Sequence, residues 1–322
     1  MTRDDVVLVG VDGSAASLHA LDWAAAEATA FGYTLQLVCS YALPSFTAAS
    51  LDGGYAALDD SAIQEGARAV LAEAQARADA RGVRATASIA TGDAAGVLVE
   101  LSRTARLAVV GTRGRGGFAD RLLGTVSSAL PAHAFCPTVV VPMQVRARGD
   151  DSEPPLPNPV RRIVVGVDGS PASDAALRQA IREAQAWGAE LTAVSGVPLG
   201  SGGSALAWLP AAVDHEAVLA DVAEGLAVVV ERALIDFPGV EVKRHVLDGT
   251  AAALLTEFST ATDLVVVGSR GRGGFVGLLM GSTSQAVLHH AACPVMVVTS
   301  RSTDGPAGRT GRITGIGDLY PS

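Results

Sequence analysis

Two glycine-rich segments carry the residue types that hold phosphate groups. One runs Gly111-Thr-Arg-Gly114-Arg-Gly-Gly-Phe118 and continues to Gly124-Thr125. The other runs Gly268-Ser-Arg-Gly271-Arg-Gly-Gly-Phe275 and continues to Gly281-Ser282. Glycines let the backbone turn sharply and approach an anion closely. Thr125, Ser127, Ser282 and Ser284 add hydroxyls, and Arg113, Arg115, Arg270 and Arg272 add positive charge that serves either the anion or the solvated surface. Each segment follows an apolar run, residues 107–110 or 264–267, and precedes a stretch with helical pattern. Gly124 and Gly281 therefore open a helix, where free N–H groups and the helix dipole favour anions. A carboxylate closes the first apolar run of each half, Asp12-Gly13-Ser14 and Asp168-Gly169-Ser170. Such a group suits a ribose hydroxyl or Mg²⁺, and the same tripeptide also reads as a turn and helix cap. The sole lysine, Lys243, is remote from both loops, which excludes a Walker A site.

The elements that must position these residues also recur. The glycines repeat at an offset of 157 (268 − 111), and so do Gly124 and Gly281. A repeat on this scale marks two copies of one domain. In each half, apolar strands alternate with helical segments: strands at 6–11 and 163–167, helices to about 31 and 187, strands at 34–41 and 190–197. Long helices follow at about 56–81 and 210–237, strands at 84–89 and 241–246, and short helices at 93–104 and 250–260. The glycine loops, a last helix and closing strands at 137–141 and 294–298 complete each half. Alternation of this kind predicts an α/β fold of two tandem doubly wound, five-stranded parallel-sheet domains, Rossmann-like in class. With strand order taken as 3-2-1-4-5, strands 1 and 4 flank the reversal, where ligands bind beyond the carboxyl ends. Asp12 would then meet Gly111, and Asp168 would meet Gly268. The expected divisions are domains at 1–142 and 161–299, a Pro-rich linker at 143–160 and a disordered tail at 300–322.

The pattern Gly-x2-Gly-x9-Gly-(Ser/Thr), with an Asp ending the first strand, resembles the universal stress protein family, in its ATP-binding branch. Both halves match, at residues 111–125 and 268–282. The resemblance implies adenine-nucleotide binding by Asp12, Gly111, Gly114, Gly124 and Thr125, and by Asp168, Gly268, Gly271, Gly281 and Ser282. It extends to the flanking positions Gly10, Val11, Arg113, Val126 and Ser127, and Gly166, Val167, Arg270, Thr283 and Ser284. It implies adenine contacts near the end of strand 2, around Ser40 and Gly196. ATP is the implied cofactor, with Mg²⁺ a candidate at Asp12 and Asp168. Pairing of domains or of two chains through the fifth strands, residues 138–141 and 295–298, is implied as well.

A net charge of −9 argues against a nucleic-acid or anionic membrane partner. No apolar run reaches the roughly 18–20 residues that span a bilayer, and residues 1–5 lead directly into a strand, so a cytoplasmic location is expected. Cys39, Cys136 and Cys293 form no CxxC, and Cys136 and Cys293 read as small buried residues before a strand. The histidines share no metal-ligand spacing between halves. No water-activating group is identifiable and no catalytic residue is assigned. A nucleotide-binding regulatory protein acting on a protein partner is the expected function. The alternatives are a slow ATPase or autophosphorylating enzyme, with Ser127 or Ser284 accepting phosphate, and a nucleotide-free dimeric scaffold.

Overall fold

The computed structural model describes residues 4–42, 60–112, 114, 123–143, 159–198, 214–272, 280–299 and 301. The strands are β1 Val6–Gly10, β2 Thr34–Tyr41, β3 Ala85–Thr91, β4 Leu107–Gly111 and β5 Thr138–Val141. Their second-half counterparts are β6 Arg162–Gly166, β7 Glu190–Val197, β8 Val242–Asp248, β9 Leu264–Gly268 and β10 Val295–Val298. The helices are α1 Ala15–Phe31, α2 Asp60–Ala80, α3 Ala94–Leu101, α4 Thr125–His133, α5 Pro171–Trp187, α6 His215–Leu234, α7 Ala251–Phe258 and α8 Ser282–His290.

The strands form one ten-stranded sheet, ordered β3-β2-β1-β4-β5-β10-β9-β6-β7-β8. Each half is parallel and carries the expected 3-2-1-4-5 order. The halves are joined by an antiparallel ladder between β5 and β10, with Met296 opposite Val139. Side-chain alternation sorts each central strand onto two helical layers. Val7 and Val9 face the layer of α1, α2, α5 and α6, while Leu8 faces that of α3, α4, α7 and α8. Apolar side chains on both faces are why these strands read as unbroken runs. The outer strands β3 and β8 are more exposed, and β8 carries Lys243 and Arg244, charges that discourage pairing with another chain.

Local chemistry sets the ends of the helices. Ser14 and Ser170 cap α1 and α5 by accepting from the N–H groups of Ser17 and Ser173, and Pro171 takes the first helical position. α3 and α7 are shorter than the sequence suggests. The hydroxyls of Ser102 and Ser259 turn back onto the carbonyls of Val99 (2.6 Å) and Thr256 (2.5 Å). The same oxygens accept from Phe135 and Ala292, both at 2.9 Å, tying the helix end to the entry of the fifth strand. β3 and β8 run beyond the expected ends at 89 and 246, stopping at Gly92 and Gly249, whose positive φ breaks the extended backbone. The expected starts of the long helices, residues 56–59 and 210–213, lie outside the described residues, as do most of the linker and tail.

Candidate functional site

β1 and β4 are neighbours at the reversal of the first half, and β6 and β9 at that of the second. Beyond β6, Asp168 organises the turn into α5. Its Oδ1 accepts from the Ser170 N–H at 2.9 Å, and its own N–H donates to Ser173 Oγ at 3.3 Å. Its Oδ2 accepts from the Arg272 N–H at 3.0 Å, joining the end of β6 to the glycine loop. Burial pushes this carboxyl up, but hydrogen bonds from Ser170, Ser173 and Arg272 outweigh it and hold it below the usual carboxylate value. Asp12 does the same work in the first half, accepting from the Ser14 hydroxyl at 2.6 Å and the Ser14 N–H at 3.0 Å.

The sign of the Asp168 shift sets a testable pH dependence. A lowered folded value gives stability that is present above the unfolded value of 3.8 and lost as pH falls through the folded one. Asp168→Asn is expected to lower stability at pH 7 by about 1 kcal/mol, allowing for solvent screening. It should also flatten the acid limb of a urea-unfolding series. An unchanged acid limb would contradict the ionised role.

The glycines sit where side chains do not fit. A Cβ on Gly111 would lie 2.6 Å from the carbonyl oxygen of Ala16, and one on Gly268 would lie 2.7 Å from that of Ala172. The first turns of α1 and α5 thus press on the ends of β4 and β9. A Cβ on Gly114 would collide with Asp12 Oδ2, and one on Gly271 would come within 2.5 Å of Asp168 Oδ2. Loop and carboxylate are therefore in direct contact in both halves.

The helices after the loops differ from the others. α1, α3, α5, α6 and α7 each have a side-chain acceptor at the N-cap. α4 and α8 begin at Gly124 and Gly281, with no side-chain cap. Their first N–H groups, including those of Thr125 and Val126 or Ser282 and Thr283, lie at the positive end of the helix dipole. The Gly124 and Gly281 N–H groups donate back to Thr112 and Ser269 carbonyls, each at 2.8 Å, which closes the loop. Ser127 and Ser284 serve that closure too. Their hydroxyls are buried and donate at 2.7 Å to the carbonyls of Thr112 and Gly268.

In the second half these elements enclose a cavity of about 390 Å³. Every second-half candidate lines it: Gly166, Val167, Asp168, Gly196, Gly268, Arg270, Gly271, Gly281, Ser282, Thr283 and Ser284. Ser173, Ala251, Leu255, Val267, Arg272 and Met280 complete the wall. Leu255 reaches beneath Gly166, where a Cβ would lie 2.8 Å from its methyl, and Leu98 takes the same place under Gly10. Sequence reasoning missed this apolar side, because Leu255 and Ala251 come from α7, which no motif links to the loop. A Cβ on Gly196 would lie 2.8 Å from the Ala251 nitrogen, so β7 and α7 approach closely there. The first half has Ser40, half-buried, at the corresponding place opposite Ala90. Among the first-half candidates, Val11 is buried at the end of β1, and Arg113 lies outside the described residues.

Among the described residues no group of three or more His, Cys, Asp or Glu side chains could hold a metal ion. No helix there is long and apolar enough to cross a membrane. Cys136 and Cys293 are buried, and burial pushes the Cys293 thiol up to about 12, which leaves it unreactive.

A doubly wound sheet with a carboxylate and a glycine loop at each reversal defines a Rossmann-like α/β class, and the chain's relatives make the class specific. The pattern of the universal stress protein family matches residues 5–142 and again 159–299, and the chain belongs to that family. A universal stress protein of Mycolicibacterium smegmatis is 36% identical over 309 residues, covering 92% of this chain and 97% of the relative. One from Mycobacterium tuberculosis strain H37Rv is 36% identical over 307 residues, covering 90% and 96%. The crystal structure of a universal stress protein from Archaeoglobus fulgidus DSM 4304 superposes with a TM-score of 0.63 at 21% identity, covering 92% of this chain and 97% of that one. That likeness supports the fold.

Proposed function

We propose that each half binds one adenine nucleotide, ATP, with its phosphates against the glycine loop and the N-terminus of α4 or α8. The observation that carries this reading is the second-half cavity, where the uncapped start of α8, the Arg270 and Arg272 positions and Asp168 converge on one space. Backbone N–H groups at an uncapped helix start supply donors that a phosphate accepts from directly. The ribose would fall to Asp12 or Asp168, and the base to the apolar side near Gly196, Ala251 and Leu255 or the matching side near Ser40. Mg²⁺ would arrive on the nucleotide, with a single Asp as its protein carboxylate.

Binding without rapid turnover fits this geometry. The Ser127 and Ser284 hydroxyls, the candidate acceptors for a phosphoryl group, are buried and donate to main-chain carbonyls. The protein then works as a nucleotide-dependent regulator, with the bound nucleotide ordering loop surfaces that a partner protein reads. Calorimetric titration with ATP and with adenosine tests the phosphate role. Adenosine is expected to bind about 100-fold more weakly, the loss of two or three charge-assisted hydrogen bonds. Equal affinity for the two would refute it.

A further inference from the structure

Glu27 in α1 and Glu183 in α5 are the same residue of the repeat (183 − 27 = 156, as for 168 − 12), and they face each other where α1 packs on α5. Both are fully enclosed, at 2% and 1% exposure. Their carboxyl groups lie within hydrogen-bonding reach of each other. Two like charges there would repel at close range with little water to screen them. Other donors are few. Trp187 Nε1 donates to Glu27 Oε2 at 2.8 Å, and Gln179 Nε2 donates to Glu183 Oε1 at 2.7 Å. Glu183 Oε2 is buried and has no donor among the described residues. A proton on Glu27 fills that vacancy and removes the repulsion together.

The nearby charges do not replace it. Arg182 faces Glu183 from the same helix, but its Nη1 donates to Gln179 Oε1 at 3.3 Å and its guanidinium lies 5.6 Å from the Phe237 ring centre. Tyr33 faces the pair from the first half with Arg106 and Asp5 beside it, and Arg178 and Arg106 lie near Arg182. Burial pushes both carboxyls up, Glu183 to about 7, and the neighbouring Glu183 raises Glu27 further.

We propose that Glu27 and Glu183 share one proton across the contact between the two halves, and that its release to solvent as pH rises loosens α1 from α5. The step is an acid dissociation: the O–H bond breaks, both side chains become carboxylates, and the proton leaves to water. Each helix begins at a candidate nucleotide site, after Asp12 or Asp168. The proposal stands apart from nucleotide binding and is tested without nucleotide.

Urea unfolding of the full chain across pH 5 to 8 reads it. Folded values above the unfolded 4.5 give stability that is full below that pH and lost as pH rises through the folded values, Glu183 at about 7 and Glu27 well above the usual carboxylate range. The unfolding equilibrium constant is therefore expected to rise at least about tenfold per pH unit between about pH 5 and 7. Glu27→Gln, or Glu183→Gln, keeps the shape and supplies a carboxamide donor that does not titrate, so either should lessen the rise and the two together should remove it. The same rise in both variants, or none in the native chain, overturns the proposal. Should the variants fail to fold, infrared spectroscopy of the native chain at pH 6 decides. A protonated-carboxyl band at pH 6 supports the shared proton, and its absence there overturns it.

Discussion

Replacing both loop glycines, Gly114→Ala with Gly271→Ala, is expected to abolish nucleotide binding in both halves. The backbone at Gly271 is not left-handed, so conformational strain is not the cause there. The cause is contact. Each new methyl would meet the Oδ2 of Asp12 or Asp168, a short side chain held by Ser14 or by Ser170 and Arg272. The loop must move away from the strand ends, and the backbone donors of the loop move with it. Loss of two charge-assisted hydrogen bonds weakens binding about 100-fold or more. Titration calorimetry on the folded double variant measures this, and undiminished affinity would sink the site assignment.

A second large effect is expected one step earlier in the loop, and on stability instead of affinity. Gly111→Ala and Gly268→Ala place a methyl against main-chain atoms of Ala16 and Ala172, in the first turns of α1 and α5. Main chain in a capped first turn has no flexible end to swing aside. The helix must shift outward against a close-packed alanine layer that includes Ala20, Ala24, Ala176 and Ala180, all fully buried. Overpacking of this kind costs about 1–3 kcal/mol per site. Urea unfolding should therefore show a lower midpoint for each single variant, with nearly additive loss in the pair, since the two sites share no partners. A neutral result at either position would mean that strand and helix are not in the tight contact described.

These effects were partly legible in the chain. The exact recurrence of the glycine loops, the lone Asp after each first strand and the unbroken apolar runs led to the doubly wound halves and to second-half candidates that all line the cavity, though not to its apolar wall. The strand order was an assumption that the ladder pairings bear out. What remained hidden depends on contacts between distant segments. Whether Ser127 and Ser284 offer a hydroxyl to a ligand or to their own loop turns on where a main-chain carbonyl lies across a gap of fifteen or more residues. Leu98 and Leu255 look like ordinary core leucines until β1 and β6 are seen to need glycine above them. The pairing of Glu27 with Glu183 was likewise invisible, because helix patterning places both on a face without saying that the two faces meet. Helix ends at Ser102 and Ser259 ran short because a side-chain hydroxyl competes with the next helical turn, an effect that periodicity does not register.

The central claim is that the loop and uncapped helix of each half hold the phosphates of one nucleotide. Native mass spectrometry of the full chain, freshly purified and then supplied with ATP, counts bound nucleotide per chain directly. Two ATP per chain are expected, falling to one when Gly271→Ala alone is made and to none in the double variant. A chain that carries no nucleotide at saturating ATP, or that keeps both after Gly114→Ala with Gly271→Ala, would contradict it.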